Sequence, residues 1–283
     1  MKLAVISDIH SNYLALEAAL SAVEKEKPDG VVFLGDYVSD CPYPQKTMEQ
    51  VYACRDRYRC WFIRGNREDY LLSHRKNPGD GWETSSSSGS LLYTYENLTD
   101  RDLDFFASMP ICTDISLPGC PPLTACHASP VKTKEWICNN SFLLERYARM
   151  IPGDLLLCGH THKSELRFVG SKRILFCPSV GLPQDERSHA RITFLTCIGG
   201  KWIPRMQPLA FDKAALIRSF SESGLLCRAE IWARCIIRSI TEERDYAAQC
   251  VTLAWHYATA DHFSGSVLPE PYWQAAAKKL GII

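Results

Sequence analysis

The chain has 283 residues, with 32 basic against 32 acidic side chains and 46% hydrophobic residues. That length accommodates one α/β domain of about 200 residues with an appendage, while a net charge of zero gives no electrostatic footprint for a long nucleic acid. No apolar run reaches the roughly 18 residues that would cross a membrane, so a cytoplasmic protein without membrane contact is expected.

In chain order, Leu3 to Ile6 reads as a buried strand ending on Ser7-Asp8-Ile9-His10. Because Met1-Lys2-Leu3 enters a strand that leads to a candidate ligand at Asp8, the N-terminus is expected to be structural and not a signal peptide. Leu16, Ala19, Leu20 and Val23 form a helical stripe, which Pro28-Asp29-Gly30 ends. Val31 to Leu34 is the second strand, followed by Gly35-Asp36. Met48, Val51 and Tyr52 mark a second helix, and Cys60 to Ile63 a third strand before Gly65-Asn66. Asp8 to Asp36 spans 28 residues and Asp36 to Asn66 spans 30, the length of a strand, a crossover helix and a parallel strand. Three strand ends are thus predicted side by side, at the carboxyl edge where open α/β sheets carry their sites.

Asn77 to Gly81 and Ser85 to Ser88 then read as an inserted loop that caps or flanks the site. Leu91, Leu92 and Tyr95 begin a helical pattern, and Thr99-Asp100-Arg101-Asp102 forms a capping box before Leu103, Phe105 and Phe106. Leu123 to Cys126 runs into His127, and Leu155 to Cys158 into Gly159-His160-Thr161-His162. Further strands are predicted at Leu166 to Val169, Ile174 to Phe176 and Ile192 to Leu195. From about Pro208 the pattern becomes helical, through Leu216, Phe220, Ile231, Trp232 and Ile236 to an aromatic tail containing Trp255, Tyr257 and Trp273. The division is therefore a domain over residues 1–207 and a helical extension over 208–283, expected to pack on the flank of the core. A lid or an oligomer interface formed by these helices is the alternative. The 13 cysteines include no Cys-x-x-Cys pair, and several lie in predicted strands, so reduced core thiols are expected.

Asp8 and His10 are two apart, so an extended backbone would point both to one side, where they could share a metal ion. Asp36 can bridge to a second. Carboxylate and amide oxygens mixed with imidazole suit Mn, Fe, Zn, Ni or Co, and the absence of thiolate disfavours a structural zinc. Two such ions about 3.5–4 Å apart could hold a hydroxide and clamp a phosphate for in-line attack. Taken singly, a Gly-Asp or Gly-Asn pair is usually a turn and a lone His a core residue.

The ordered set Asp8-x-His10, Gly35-Asp36, Gly65-Asn66, His127 and Gly159-His160-x-His162 resembles the calcineurin-like metallophosphoesterases, particularly their small bacterial-type phosphodiesterase branch. Ser7 to Asn12, and Gly35-Asp36-Tyr37-Val38 followed by Pro42 and Pro44, extend the likeness, which covers roughly residues 1–200. The resemblance implies an α/β sandwich of two mixed β-sheets flanked by helices. It implies a cofactor of two divalent ions: one on Asp8, His10, Asp36 and His162, the other on Asp36, Asn66, His127 and His160. It further implies that Asn66 and His127 serve catalysis as well as metal binding.

Three positions depart from the family pattern. Arg67 stands where many relatives have a proton-donating His; a guanidinium stays charged but can contact a phosphate or a departing oxygen. Its plainer role is an ion pair with Glu68 or Asp69 at a helix start. Cys177 replaces an Asn before Pro178, and Ser11 replaces a common Gly. Without an acid, leaving groups that need no proton are favoured, which points to small phosphodiesters or nucleotide-like compounds. Dinucleoside polyphosphate hydrolysis, a protein phosphatase and a catalytically silent metal-binding scaffold are the alternatives. Lys163, Arg187 and His189 are candidates for specificity.

Overall fold

A computed structural model describes residues 1–182 and 190–283. Arg187 and His189 lie outside the described residues. The elements are β1 (Lys2–Ile6), α1 (Tyr13–Glu26), β2 (Gly30–Phe33), α2 (Pro44–Arg57), β3 (Cys60–Phe62), α3 (Asn66–Lys76), α4 (Gly89–Glu96), α5 (Asp100–Ser108), β4 (Cys112–Ile115) and β5 (Leu123–Cys126). They continue as α6 (Ser141–Met150), β6 (Leu155–Cys158), β7 (Glu165–Val169), β8 (Lys172–Phe176), β9 (Arg191–Ile198), β10 (Lys201–Pro208), α7 (Lys213–Glu222), α8 (Leu225–Glu242), α9 (Tyr246–Ala260) and α10 (Glu270–Lys279).

The strands form two five-stranded mixed sheets, ordered β10-β9-β1-β2-β3 and β4-β5-β6-β8-β7. As the 28- and 30-residue spacings require, β1 pairs parallel with β2 and β2 with β3. Side chains alternate across the first sheet. Leu3, Val5 and Val32 face inward, with Leu123, Ala125, Leu155, Leu157 and Leu175 of the second sheet in the same core. Ala4, Ile6, Val31 and Phe33 face outward and pack with α1 and α2 residues. The ligand-bearing strand ends therefore do not line one sheet: β1, β2 and β3 belong to the first, β5 and β6 to the second. An apolar run reports burial and not which sheet buries it.

Helices α7 to α10 form a further core that also takes in Cys41, Tyr93 and Leu182 from the preceding part of the chain. The serine run is a turn, as expected, but it packs into this seam instead of flanking the site. Helix α8 is broken at Glu230, where φ is 44°. The Ile231 N–H next to the break donates to Ser86 Oγ at 3.0 Å. Ser86 Oγ in turn donates to Glu270 Oε1 at 2.7 Å, and Trp273 Nε1 donates to Ser87 Oγ at 2.9 Å. Buried hydroxyls thus satisfy backbone and indole groups that the kink and tight packing would leave unpaired. A Cβ on Gly89 would lie 1.8 Å from the Arg228 carbonyl oxygen, so only glycine permits this approach. All 13 cysteines are free thiols. No described helix is long and apolar enough to cross a membrane.

Candidate metal centre

The ligand candidates meet where the carboxyl ends of the two sheets adjoin. Asp8, His10, Asp36, Asn66, His127 and His162 are buried, and His160 is partly buried. Asp8 and His10 converge by a route different from the extended backbone expected of them. Asp8, His10, Asp36, His160 and His162 all have left-handed backbones, with φ between 51° and 63°. For residues with a Cβ each such conformation costs about 1–2 kcal/mol, and a concentration of them at a site marks geometry imposed for function. Cross-chain bonds hold the turns: the Asp8 and His10 N–H groups donate to the carbonyls of Gly35 and Asp36 at 3.1 and 3.0 Å.

Two imidazoles meet nitrogen to nitrogen. His10 Nε2 and His162 Nε2 are 3.0 Å apart, and Asp8 Oδ1 is 3.2 Å from the latter. Each ring's other nitrogen is engaged: His162 Nδ1 lies 2.8 Å from the Leu182 carbonyl oxygen and His10 Nδ1 3.0 Å from Asp40 Oδ2. Both partners are acceptors, so Nδ1 carries the proton and each Nε2 offers its lone pair to the same point. A cation there fits this donor set. On the other side, His127 Nδ1 is anchored 2.6 Å from the Leu34 carbonyl oxygen, and Nε2 lies 3.1 Å from Asn66 Oδ1 and 3.5 Å from Asp36 Oδ1. Asp36 Oδ2 faces the opposite way, 3.8 Å from His10 Nε2. Asp8, His10 and His162 form one convergent group, and Asp8, Asp36 and His127 another. His160 stands beside the second, its ring centroid 5.2 Å from that of His127, and its N–H donates to Asp8 Oδ2 at 3.1 Å.

The electrostatics match the geometry. Burial alone would raise Asp8, but His162 and His127 more than offset it and hold the carboxyl at about 2. Burial likewise opposes ionisation of Asp36, which His127 and His10 nonetheless hold well below the usual carboxylate range. Burial pushes His127 down; Asp36 beside it overcomes this and raises the imidazole to about 10. His160 is lowered to about 4 by burial and by His127. A raised imidazole contributes stability below its ordinary value of about 6.5 and loses it as pH rises through the folded value. The metal-stripped protein should therefore lose this contribution between pH 6.5 and about 10. A metal ion held by His127 would have to displace its proton, so binding at pH 7.5 should release it. Calorimetric titration with Mn in two buffers of different ionisation enthalpy counts the protons, and His127→Asn should release about one fewer. Equal release by both proteins would contradict the assignment.

The surrounding residues complete the support, several of them in roles the sequence did not indicate. Glu68 does not pair with Arg67: its carboxylate accepts the N–H groups of Asp36, Tyr37 and Gly65 at 2.8–2.9 Å, fixing the turn that carries Asp36. Asp69 pairs instead with Arg64 at 2.8 Å. Arg67 reaches buried Asp40, Nη2 to Oδ2 at 2.9 Å, and its own N–H donates to Asp36 Oδ1 at 2.9 Å. Asp40 also accepts from Trp232 Nε1 at 2.8 Å. Where Cys177 lacks the side-chain amide of relatives, Ser179 Oγ donates to the Asp8 carbonyl at 2.7 Å and Asn12 Nδ2 to that of Gly181 at 2.8 Å. Ser11, at φ 58°, occupies a turn that glycine adopts without strain. Cys126 and Cys158 pack sulfur to sulfur at 3.6 Å in the core outside the second sheet, away from the site.

The centre opens into a cavity of about 250 Å³. His10, Asp36, Asn66, Arg67, His160 and His162 form its floor, and Trp232, Ile236, Asp245, Ala247 and Val251 of the helical extension form its far wall. Nothing in the Ile231-Trp232 or Asp245-Tyr246 sequence announces a site; the helical stripe there signals burial only.

A family profile described as calcineurin-like phosphoesterase matches residues 1–164. An uncharacterized protein of Methanocaldococcus jannaschii is 28% identical over 190 residues, 65% of this chain and 72% of that protein. Among solved structures, a hypothetical protein of Pyrococcus horikoshii superposes with a TM-score of 0.70 at 19% identity, covering 84% of this chain and 97% of its own. A metallophosphoesterase of Sphaerobacter thermophilus gives 0.62 at 22% identity, covering 79% and 95%. At these identities the two structures show a shared fold.

Proposed function

The chain belongs to the calcineurin-like phosphoesterase family, metal-dependent phosphoester hydrolases, and we propose that it uses two divalent ions to hydrolyse a small phosphodiester or nucleotide-like ester. The observation that carries this reading is Asp36, whose Oδ2 faces His10 and whose Oδ1 faces His127. A carboxylate presenting one oxygen to each of two imidazole groups is suited to bridge. Asp8, His10, Asp36 and His162 would hold one ion, and Asp36, Asn66, His127 and His160 the other. The oxygen and nitrogen donor set suits Mn, Fe, Ni or Zn. Ions so held supply Lewis acidity toward the phosphoryl oxygens and acidify water.

The protein's own contribution is positional. The Arg67 guanidinium sits on the cavity floor with its side chain 20% exposed, pinned by Asp40. It cannot give up a proton, but it can balance charge on the departing oxygen. The small cavity, walled on one side by the helical extension, favours a small ester over a phosphopeptide, which argues against a protein phosphatase. A binding scaffold has no use for five strained ligand backbones.

The test is a plot of log rate against leaving-group pKa for a series of aryl and alkyl methyl phosphodiesters, with enzyme loaded with Mn, Ni, Zn or Fe. Wild type should show a steep dependence. Arg67→Ala should lose about ten- to a thousandfold, and Arg67→His should flatten the slope by supplying an acid. Full activity of Arg67→Ala would leave Arg67 as the partner of Asp40 alone. No turnover of any ester by fully loaded wild type would remove the functional reading.

A further inference from the structure

The cavity has two chemically different halves. Its floor carries the carboxylates, imidazoles and Arg67; its far wall is Trp232, Ile236, Ala247, Ala248 and Val251 from α8 and α9. Trp136, from the segment after β5, lines the same cavity while 50% exposed. Burying only half of so large an apolar ring leaves much of its surface in water, which marks a face available to a ligand. Trp136 stands beside the metal-site residues, its ring centroid 6.2 Å from that of His160 and 5.9 Å from Lys163 Nζ. Trp232 is fixed by its bond to Asp40 and by edge contact with Trp273 at 6.1 Å. Two polar residues interrupt the wall, Ser239 and Asp245; Ser239 Oγ is taken up by the Cys235 carbonyl and the Tyr246 N–H, and Asp245 caps α9, its Oδ1 accepting the Ala248 N–H at 2.8 Å. A carboxylate has about four acceptor positions, so Asp245 keeps capacity for a ligand donor.

We propose that the helical extension and Trp136 form the specificity site of this phosphoesterase, seating one uncharged ring-bearing group, a nucleoside, that stacks on Trp136 and donates a hydrogen bond to Asp245. This rests on the phosphoesterase reading above and deepens it. The volume, about 250 Å³, falls below the roughly 300–1,000 Å³ of pockets for drug-sized ligands, which suits one nucleoside-sized group. Charge sets the class. A base or sugar brings donors to Asp245 and a polyphosphate chain brings none, leaving Lys163, near both Asp245 and Trp136, as the cation on this side of the cavity. The ester that fits therefore has a single phosphoryl group at the metal centre with its organic part against the helices. This disfavours dinucleoside polyphosphates.

The experiment compares, on the full-length Mn-loaded enzyme, two diesters with the same 4-nitrophenol leaving group: the methyl ester and the thymidine 5′ ester. Wild type should prefer the thymidine ester in kcat/KM by roughly tenfold or more, the scale of one base stacked on an aromatic ring. Trp136→Ala, at a half-exposed position that should tolerate change, and Val251→Trp, which fills the wall, should each bring that ratio close to one. Asp245→Ser retains a hydroxyl cap for α9 and should lower the ratio through KM and not kcat. Equal kcat/KM for the two esters in wild type, or a ratio unmoved by Trp136→Ala, overturns the specificity site while leaving the phosphoesterase reading intact. Faster hydrolysis of a dinucleoside tetraphosphate than of the thymidine ester overturns the single-phosphoryl assignment. Hydrolysis of neither diester by metal-loaded enzyme overturns both readings together.

Discussion

Asp36→Asn should reduce bound metal from nearly two equivalents to less than one and cut turnover by about a thousandfold or more. The reason is geometric. Asp36 Oδ1 lies 3.5 Å from His127 Nε2 and Oδ2 3.8 Å from His10 Nε2, so this carboxylate turns one oxygen toward an imidazole of each group. An amide keeps its shape but loses the charge, and it turns an NH2 toward one of the two positions. His10→Ala should behave differently, weakening chiefly the ion proposed to lie with Asp8 and His162. Elemental analysis after gentle purification and a single diester assay read both effects. Two full equivalents of metal in Asp36→Asn would show that the bridge lies elsewhere.

Asp40→Asn should damage stability and metal affinity together. The buried Asp40 carboxylate serves His10 Nδ1 at 3.0 Å, Arg67 Nη2 at 2.9 Å and Trp232 Nε1 at 2.8 Å. Burial works against its charge, yet Arg67 and His10 hold it well below the usual carboxylate range. Neutralising it leaves the guanidinium without its counter-charge, a loss of about 3 kcal/mol for a buried pair. It also releases the anchor that orients His10, which should weaken metal binding by about ten- to a hundredfold. Adding Arg67→Met separates the two effects: the double variant should regain thermal stability without regaining metal affinity. An Asp40→Asn protein with wild-type unfolding temperature and metal affinity would make Asp40 a bystander.

These two residues differ in how far they could be read in advance. Asp36 follows an apolar run and a glycine at a crossover distance from Asp8, and Gly35 is required there because φ is 92° and a Cβ would lie 2.6 Å from the Gly65 nitrogen. Strand burial, the tight turn and the ligand thus occupy adjacent positions in the chain. Asp40 has no such signal. Ser39-Asp40 reads as an ordinary turn, and what makes it the anchor of His10 is burial beneath Trp232, 192 residues further on. Arg67 shows the same limit: its neighbours Glu68 and Asp69 were the obvious partners, but Glu68 is occupied by three backbone N–H groups and Asp69 by Arg64.

By itself the sequence determined the alternation of strand and crossover helix, the seven ligand candidates and the family, because each depends on short local motifs and on their order and spacing along the chain. The tertiary structure alone decided how those ligands face each other. It alone assigned the serine run to the helical seam and the far wall of the cavity to α8 and α9. Ser86 meets Glu270 across 184 residues, and Trp232 meets Asp40 across 192. A helical stripe states that one face must leave water, but not which surface receives it. That choice is made by shape and by the satisfaction of buried polar groups once the whole chain has packed.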